Sequence, residues 1–136
     1  MSNNNIVLID RHPGRSAQTI GIARELDTDP ALIHEPSVGV VGTKGDSQCY
    51  LGVTTKVNAI HTQLKSRIGF EDGQLKLRLI QPEYTIATSD GIRNGTSEMR
   101  YSLIGREVTN DALCEHLAAS GLAGVIAVVA CDKPPV

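Results

Sequence analysis

Tryptophan is absent from this sequence, and aromatic residues make up only 3% of its 136 positions. A core must therefore be aliphatic, drawn from the Val, Ile, Leu and Ala that dominate the 40% hydrophobic fraction. No apolar run approaches the ~20 residues that a membrane-spanning helix needs, so no membrane partner is expected. No basic cluster stands out either. The 13 basic and 15 acidic residues are interspersed and sum to a formal charge of −2, which argues against nucleic acid as a partner. The opening Met1-Ser2-Asn3-Asn4-Asn5 has neither the charge nor the apolar stretch of a secretory signal. The expected compartment is the cytoplasm. Cysteine is scarce and odd in number, with Cys49, Cys114 and Cys131 only. Reduced thiols or metal ligands are then the candidate states, rather than disulfides.

What is present alternates between two periodicities. Ser16 is placed to cap a helix running to about Leu26, with Ile20 and Ala23 inward, and a short helix over Ala31 to His34 follows. Val38 to Val41 reads as a short buried strand. Val53, Val57, Ile60, Leu64 and Ile68 then recur at helical spacing. Leu75, Leu77 and Leu79 alternate with Lys76 and Arg78, as in a half-exposed strand, and Tyr84 to Thr88 reads as another. Ile104, Val108, Ala112 and Leu117 line one helix face ending near Gly121. Gly124 to Ala130 is apolar on both faces, as a central strand of a covered parallel sheet would be. The whole predicts an α/β fold, layered α/β/α around a mostly parallel sheet. The length suits one domain, with residues 1–13 as an extension and 14–136 as the folded segment.

Three polar sites follow three predicted strands: Cys49, Asp90 and Cys131-Asp132-Lys133. Ligands of open α/β sheets bind at the carboxyl ends of strands, so parallel neighbours would bring these sites together. Thiolates suit iron–sulfur clusters or zinc, and carboxylates suit magnesium. The bland readings stand beside this one. A single cysteine after a buried strand is often a packed hydrophobe, the expected role of Cys114 and an even alternative for Cys49. Asp90 in Ser-Asp-Gly fits an Asx turn, and Lys133 fits a solvated chain end. His12, His34, His61 and His116 show no ligand spacing and read as surface or core histidines. Ser89 and Ser102 lack a nucleophile-elbow context. A zinc site built from Cys49, Asp90 and Cys131 lacks the closely paired ligands usual for structural zinc.

The stretch from Asp90-Gly91-Ile92 through Gly95, Met99 and Tyr101-Ser102-Leu103 to Arg106-Glu107 resembles a signature of the dihydroxy-acid/phosphogluconate (sugar-acid) dehydratases, DGI-x-x-G-x-x-x-M-x-YSL-x-x-RE. In that family a helix, an apolar strand and Cys-Asp-Lys follow, as Cys131-Asp132-Lys133 does here. Gly39-Val40-Val41 leading to Cys49, and Arg15-Ser16-Ala17, resemble the family's first cluster-cysteine strand and early helix. The likeness runs from about Gly14 to Lys133. Around Cys49 the family's Pro-Cys-Asn-x-His is replaced by Gln48-Cys49-Tyr50-Leu51-Gly52. Pro134-Pro135 replaces its Thr-Pro-Gly turn.

The resemblance implies an incomplete N-terminal portion of the larger dehydratase domain. It implies that Cys49 and Cys131 hold an iron–sulfur cluster, 2Fe–2S or 4Fe–4S, and that Asp90, Asp132 and Lys133 ligate Mg2+, the lysine being carbamylated in some members. The implied reaction dehydrates a 2,3-dihydroxy acid or sugar acid to a 2-oxo acid. The third cluster cysteine and the catalytic serine base lie outside the matched region. No catalytic base is therefore expected in this chain, and a second polypeptide is expected to complete the site in a homo- or hetero-oligomer. The other reading is a non-catalytic interaction or regulatory protein derived from the same domain.

Overall fold

The computed structural model describes residues 12–45, 48–86 and 93–130, with the side chains of Cys49, Thr85 and Ile86 outside the description. Helix α1 spans Pro13–Glu25. It starts three residues before the expected Ser16 cap because proline at the first helical position loses no hydrogen bond and has its φ preset. No side chain caps this helix, and Ser16 N bonds to His12 O at 3.1 Å inside the first turn. Thr19 and Ala23 form its buried side. The short element after it is a 3-10 turn, Pro30–His34, whose Ala31 N donates to Asp29 Oδ1 at 2.8 Å.

Strand β1 (Ser37–Lys44) is the centre of the sheet. Helix α2 (Val53–Lys65) follows it, then β2 (Arg78–Leu79) and β3 (Glu83–Ile86). Helix α3 (Tyr101–Ser120) leads to β4 (Gly124–Val128). All pairings are parallel. β2 and β3 lie along one edge of β1, and β4 lies along the other. Among the described residues this is the α/β architecture with a mostly parallel sheet that the alternating periodicities predict.

β2 and β3 act as one strand with an interruption. Between Val38↔Leu79 and Val41↔Glu83 the partner strand advances one residue more than β1. The extra residue falls in Ile80-Gln81-Pro82, where proline cannot donate to the ladder. Leu79 and Tyr84 consequently share a face although their numbers differ in parity.

Val40, Val53, Val57 and Leu79 form the core between α2 and the sheet, each no more than 3% exposed. Full burial of one such side chain is worth about 1.5–3 kcal/mol. Gly42 lets α2 approach closely. A Cβ built there would lie 2.6 Å from Val57 Cγ2 and 2.9 Å from Val53 Cγ1. On the opposite face, Gly39 accommodates Leu122 and Ile80 in the same way. α1 and the C-terminal part of α3 cover that side around Arg78 and Ile80.

Three expectations require correction. Arg78, read as an outward residue of an alternating strand, is only 9% exposed, while Leu75 is 42% exposed. The regular strand begins only at Arg78, and α1 covers Arg78's face. Among the described residues β4 pairs with β1 alone and is the outer strand of the sheet, where a central covered one was expected. Val125 and Ile126 remain exposed because no described element packs beyond it. Leu103, Ile104 and Val108 of α3 are exposed for the same reason, and so is Cys114, which was expected to pack.

His61 is the core histidine of α2. Its Nε2 lies 3.1 Å from the Ile80 carbonyl oxygen. Burial pushes its pKa below the ordinary 6.5, and Lys65 adds to the effect, against the raising influence of that hydrogen bond. A lowered folded value means that the unfolded chain takes up the proton more readily. Stability is therefore full above pH 6.5 and declines as pH falls below it. Urea midpoints measured from pH 7.5 to 5 should fall in wild type, with a shallower fall in His61→Gln. Parallel slopes would show that other groups set the dependence.

Candidate functional site at the carboxyl edge of the sheet

β1 runs on to Lys44, paired with Ile86 at the end of β3, and Gly42 pairs with Val128 at the end of β4. Three neighbouring parallel strands thus end at one edge. The chain leaves β1 towards Cys49, β3 towards Asp90 and β4 towards Cys131-Asp132-Lys133. The connections also reverse direction here. From β1 the chain crosses through α2 to the β2/β3 side, then through α3 to β4 on the other side. The crevice outside β1 and β4 is therefore a topological switch point, the usual ligand position in open parallel sheets.

The expected ligands themselves lie largely beyond what is described. Asp90, Cys131, Asp132 and Lys133 are outside the described residues. For Cys49 only the backbone is inside, in the 3-10 turn Gln48–Tyr50. That turn is anchored by Tyr50, 4% exposed, whose ring covers Gly45. A Cβ on Gly45 would lie 2.7 Å from Tyr50 Cδ2, so the loop folds tightly back on the end of β1. The turn then enters α2, whose N-terminus favours negative charge nearby. Among the described residues no three His, Cys, Asp or Glu side chains converge as a metal site. In donor chemistry, two thiols suit an iron–sulfur cluster and two carboxylates a hard cation, and a lysine joins the second set only once carbamylated, because its ammonium has no lone pair to give.

The strand ends also carry residues that pattern reading missed. Lys44 Nζ sits 4.5 Å from the centroid of the Tyr84 ring, and the Tyr84 hydroxyl donates to Asn58 Oδ1. Burial raises the Tyr84 pKa, so the phenol stays protonated and available as that donor. Only the shift of parity at Pro82 brings Tyr84 to this face, and alternation counted from Leu75 points it the other way.

The glycine-rich signature stretch enters the described region at Arg93. Thr96 Oγ1 donates to Arg93 O at 2.8 Å, and Ser97 Oγ donates to Glu98 Oε1 at 2.9 Å. That Ser97 bond, the first cause, holds the Glu98 carboxyl below its ordinary pKa. Ser102 is buried and accepts from Arg106 Nη2 at 3.2 Å, so the Tyr-Ser-Leu and Arg-Glu parts of the motif lock one helical turn to the next. This assigns Ser102 to helix packing and not to nucleophilic attack. His116, read as isolated, has Glu83 Oε1 at 3.0 Å from its Nε2.

A parallel α/β sheet with its ligand crevice at a switch point defines a class of binding and catalytic domains. Within that class the sequence comparisons are specific. Residues 36–135 match the Dihydroxy-acid/6-phosphogluconate dehydratase N-terminal family, and the chain belongs to it. It is 32% identical to a dihydroxy-acid dehydratase of Prochlorococcus marinus over 126 residues, covering 92% of this chain and 20% of that enzyme. It is 34% identical to the Lactococcus lactis subsp. lactis dihydroxy-acid dehydratase over 97 residues, 71% of this chain and 16% of the relative. A shorter match, 49% over 49 residues, joins it to dihydroxy-acid dehydratase 2 of Acinetobacter baylyi, covering 36% of this chain and 9% of that protein. The chain thus spans about a fifth or less of the length of these relatives.

Proposed function

We propose that this chain supplies the cluster- and magnesium-holding edge of a cytoplasmic hydro-lyase that converts a 2,3-dihydroxy acid or sugar acid to a 2-oxo acid. In this reading Cys49 and Cys131 hold an iron–sulfur cluster, and Asp90, Asp132 and Lys133, the last as its carbamate, hold Mg2+. The observation that supports it is the common edge at which β1, β3 and β4 end, each just before one part of this donor set. Hydroxide is a poor leaving group, and the bound metals would supply the Lewis acidity that its departure requires. The chain's own part is to hold the ligands on three adjacent strands, so that few rotations separate them from a working geometry.

A second polypeptide, or further chain, completes the site and covers the apolar surface of α3 and β4. Leu103 is 70% exposed and Val108 63% on α3, and Val125 is 41% exposed on β4. Such a surface fits burial against another part of a larger domain. Leu103→Glu with Val108→Lys should change the stability of the chain alone by less than about 0.5 kcal/mol. The same pair should abolish its association with the completing polypeptide in a pull-down. Unchanged association would place the interface elsewhere.

The deciding experiment is anaerobic co-purification of the tagged chain, followed by iron and sulfide analysis. A brown complex with a stoichiometric partner that carries a further cysteine supports the dehydratase. A colourless chain that holds a partner without iron points to a non-catalytic interaction role.

A further inference from the structure

The two edges of the sheet are built differently. The outer edge of β2 and β3 is interrupted by the extra residue and by Pro82, and it carries Arg78 and Glu83. Bulges, prolines and charges are the devices that keep an open strand edge from pairing. β4 has none of them. Gly124 to Ala130 contains no charge and no proline, and Gly124 to Val128 pair with β1 in unbroken register. Among the described residues nothing pairs with the outer side of β4. Alternate backbone N–H and C=O groups point outward there.

Both faces beside this edge are apolar and uncovered. Ile126 pairs with Val40, a core residue beneath α2, so it faces the α2 side, and it is 37% exposed. Val125 pairs with Gly39, beside Leu122 and Ile80, so it faces the other side. On the α2 side a groove of about 300 Å³ is lined by Ala59, Ile60, Gln63, Leu64 and Arg67. Asn58, which meets Tyr84 of β3, marks one flank of α2. At 3.6 residues per turn, Ile60, Gln63 and Arg67 lie on the other flank, towards β4. A strand apolar on both faces, with an unprotected edge, has the character of the interior of a covered parallel sheet.

We propose that the outer edge of β4 receives a parallel strand of the completing polypeptide, apolar on both faces, with a helix of that polypeptide filling the groove beside Ile60 and Leu64. That partner presupposes the reading of this chain as one part of a larger dehydratase, whose relatives carry at least four-fifths of their length outside the matched region. A second copy of this chain fits less well. It offers only its own β4, which a twofold axis sets antiparallel, in a sheet whose ladders are all parallel.

The test compares amide hydrogen exchange of β4 in the isolated chain and in the anaerobically purified complex. The amides on the outer side of β4 should exchange at least about ten-fold more slowly in the complex. Ile126→Lys gives this edge the charge that solvent-facing edges carry, and should weaken the association at least about ten-fold. Gln81→Lys, at the other edge, should leave it unchanged. Unaltered exchange in the complex overturns the proposal, as does a folded Ile126→Lys chain that associates like wild type, or equal weakening by Gln81→Lys. If Ile126→Lys does not fold, Ala127→Lys decides by the same criterion, because Ala127 is exposed. Outer amides already slow in the isolated chain would show an edge covered by the chain itself, or by a second copy if the slowing grows with concentration. Either result overturns the proposal, and so does a chain that purifies alone. Iron and sulfide analysis of the same complex tests the dehydratase reading separately. A protected β4 edge in an iron-free complex keeps the added strand and removes the enzyme.

Discussion

Replacing Gly42 by valine is expected to leave the chain largely unfolded at room temperature. Even the first added carbon would stand 2.6 Å from Val57 Cγ2 and 2.9 Å from Val53 Cγ1. Neither neighbour yields easily, because β-branched side chains on a helix hold one χ1 rotamer. Nor is the backbone free to shift. Gly42 is paired with Tyr84 on one side and Val128 on the other. Overpacking of this kind costs about 1–3 kcal/mol for one or two methyl groups, and valine adds three carbons. Total stability for such a domain is about 5–15 kcal/mol. Gly42→Ala should lower the urea midpoint by the equivalent of about 2 kcal/mol, and Gly42→Val by more. Val57→Ala should restore part of the loss when combined with Gly42→Ala, a coupling that a double-mutant cycle measures. Additive losses would mean that α2 does not approach β1 at this point.

Cys131→Ser is expected to reduce iron and sulfide in the anaerobically purified complex to background, and activity by at least about a hundred-fold. Serine keeps the size of the side chain but not the thiolate that a cluster needs. Cys49→Ser should do the same. Cys114→Ser provides the control, because Cys114 is an exposed free thiol on α3, far along the chain from the strand ends. Equal loss of iron in all three variants would point to general damage rather than ligation. Full retention in Cys131→Ser would remove the cluster assignment.

Much of the architecture was readable from periodicity. The spacing of Val53 and Val57 located the buried face of α2, and the run after Gly121 located β4, with Gly121 itself ending α3 at a left-handed φ of 61°. What the sequence concealed was which faces meet other elements. Val125 and Ile126 look like core residues because they are apolar, yet exposure depends on what packs against them. Arg78 looks like surface because it is charged, yet α1 closes over its face of the sheet. The donor set was legible only as an order of strand-following residues and a resemblance. The common edge of the strands that precede it emerges from the β1↔β3 and β1↔β4 registers, which no local pattern encodes.

The extra residue between Leu79 and Glu83 uncouples the parity of the numbering from the face of the sheet. It works as a phase converter. Upstream of it, odd-numbered positions meet α2, and downstream the even-numbered ones do. Substitutions inside Ile80-Gln81-Pro82 change only local contacts. Loss of one position there would leave two residues opposite Gly39 and Val40, so Leu79 would still pair with Val38 and Glu83 with Val41, and the Tyr84 ring would keep its place beside Asn58 in an unbroken ladder. The three-residue joint is therefore a take-up in the chain, which absorbs one surplus residue without turning the end of β3 over.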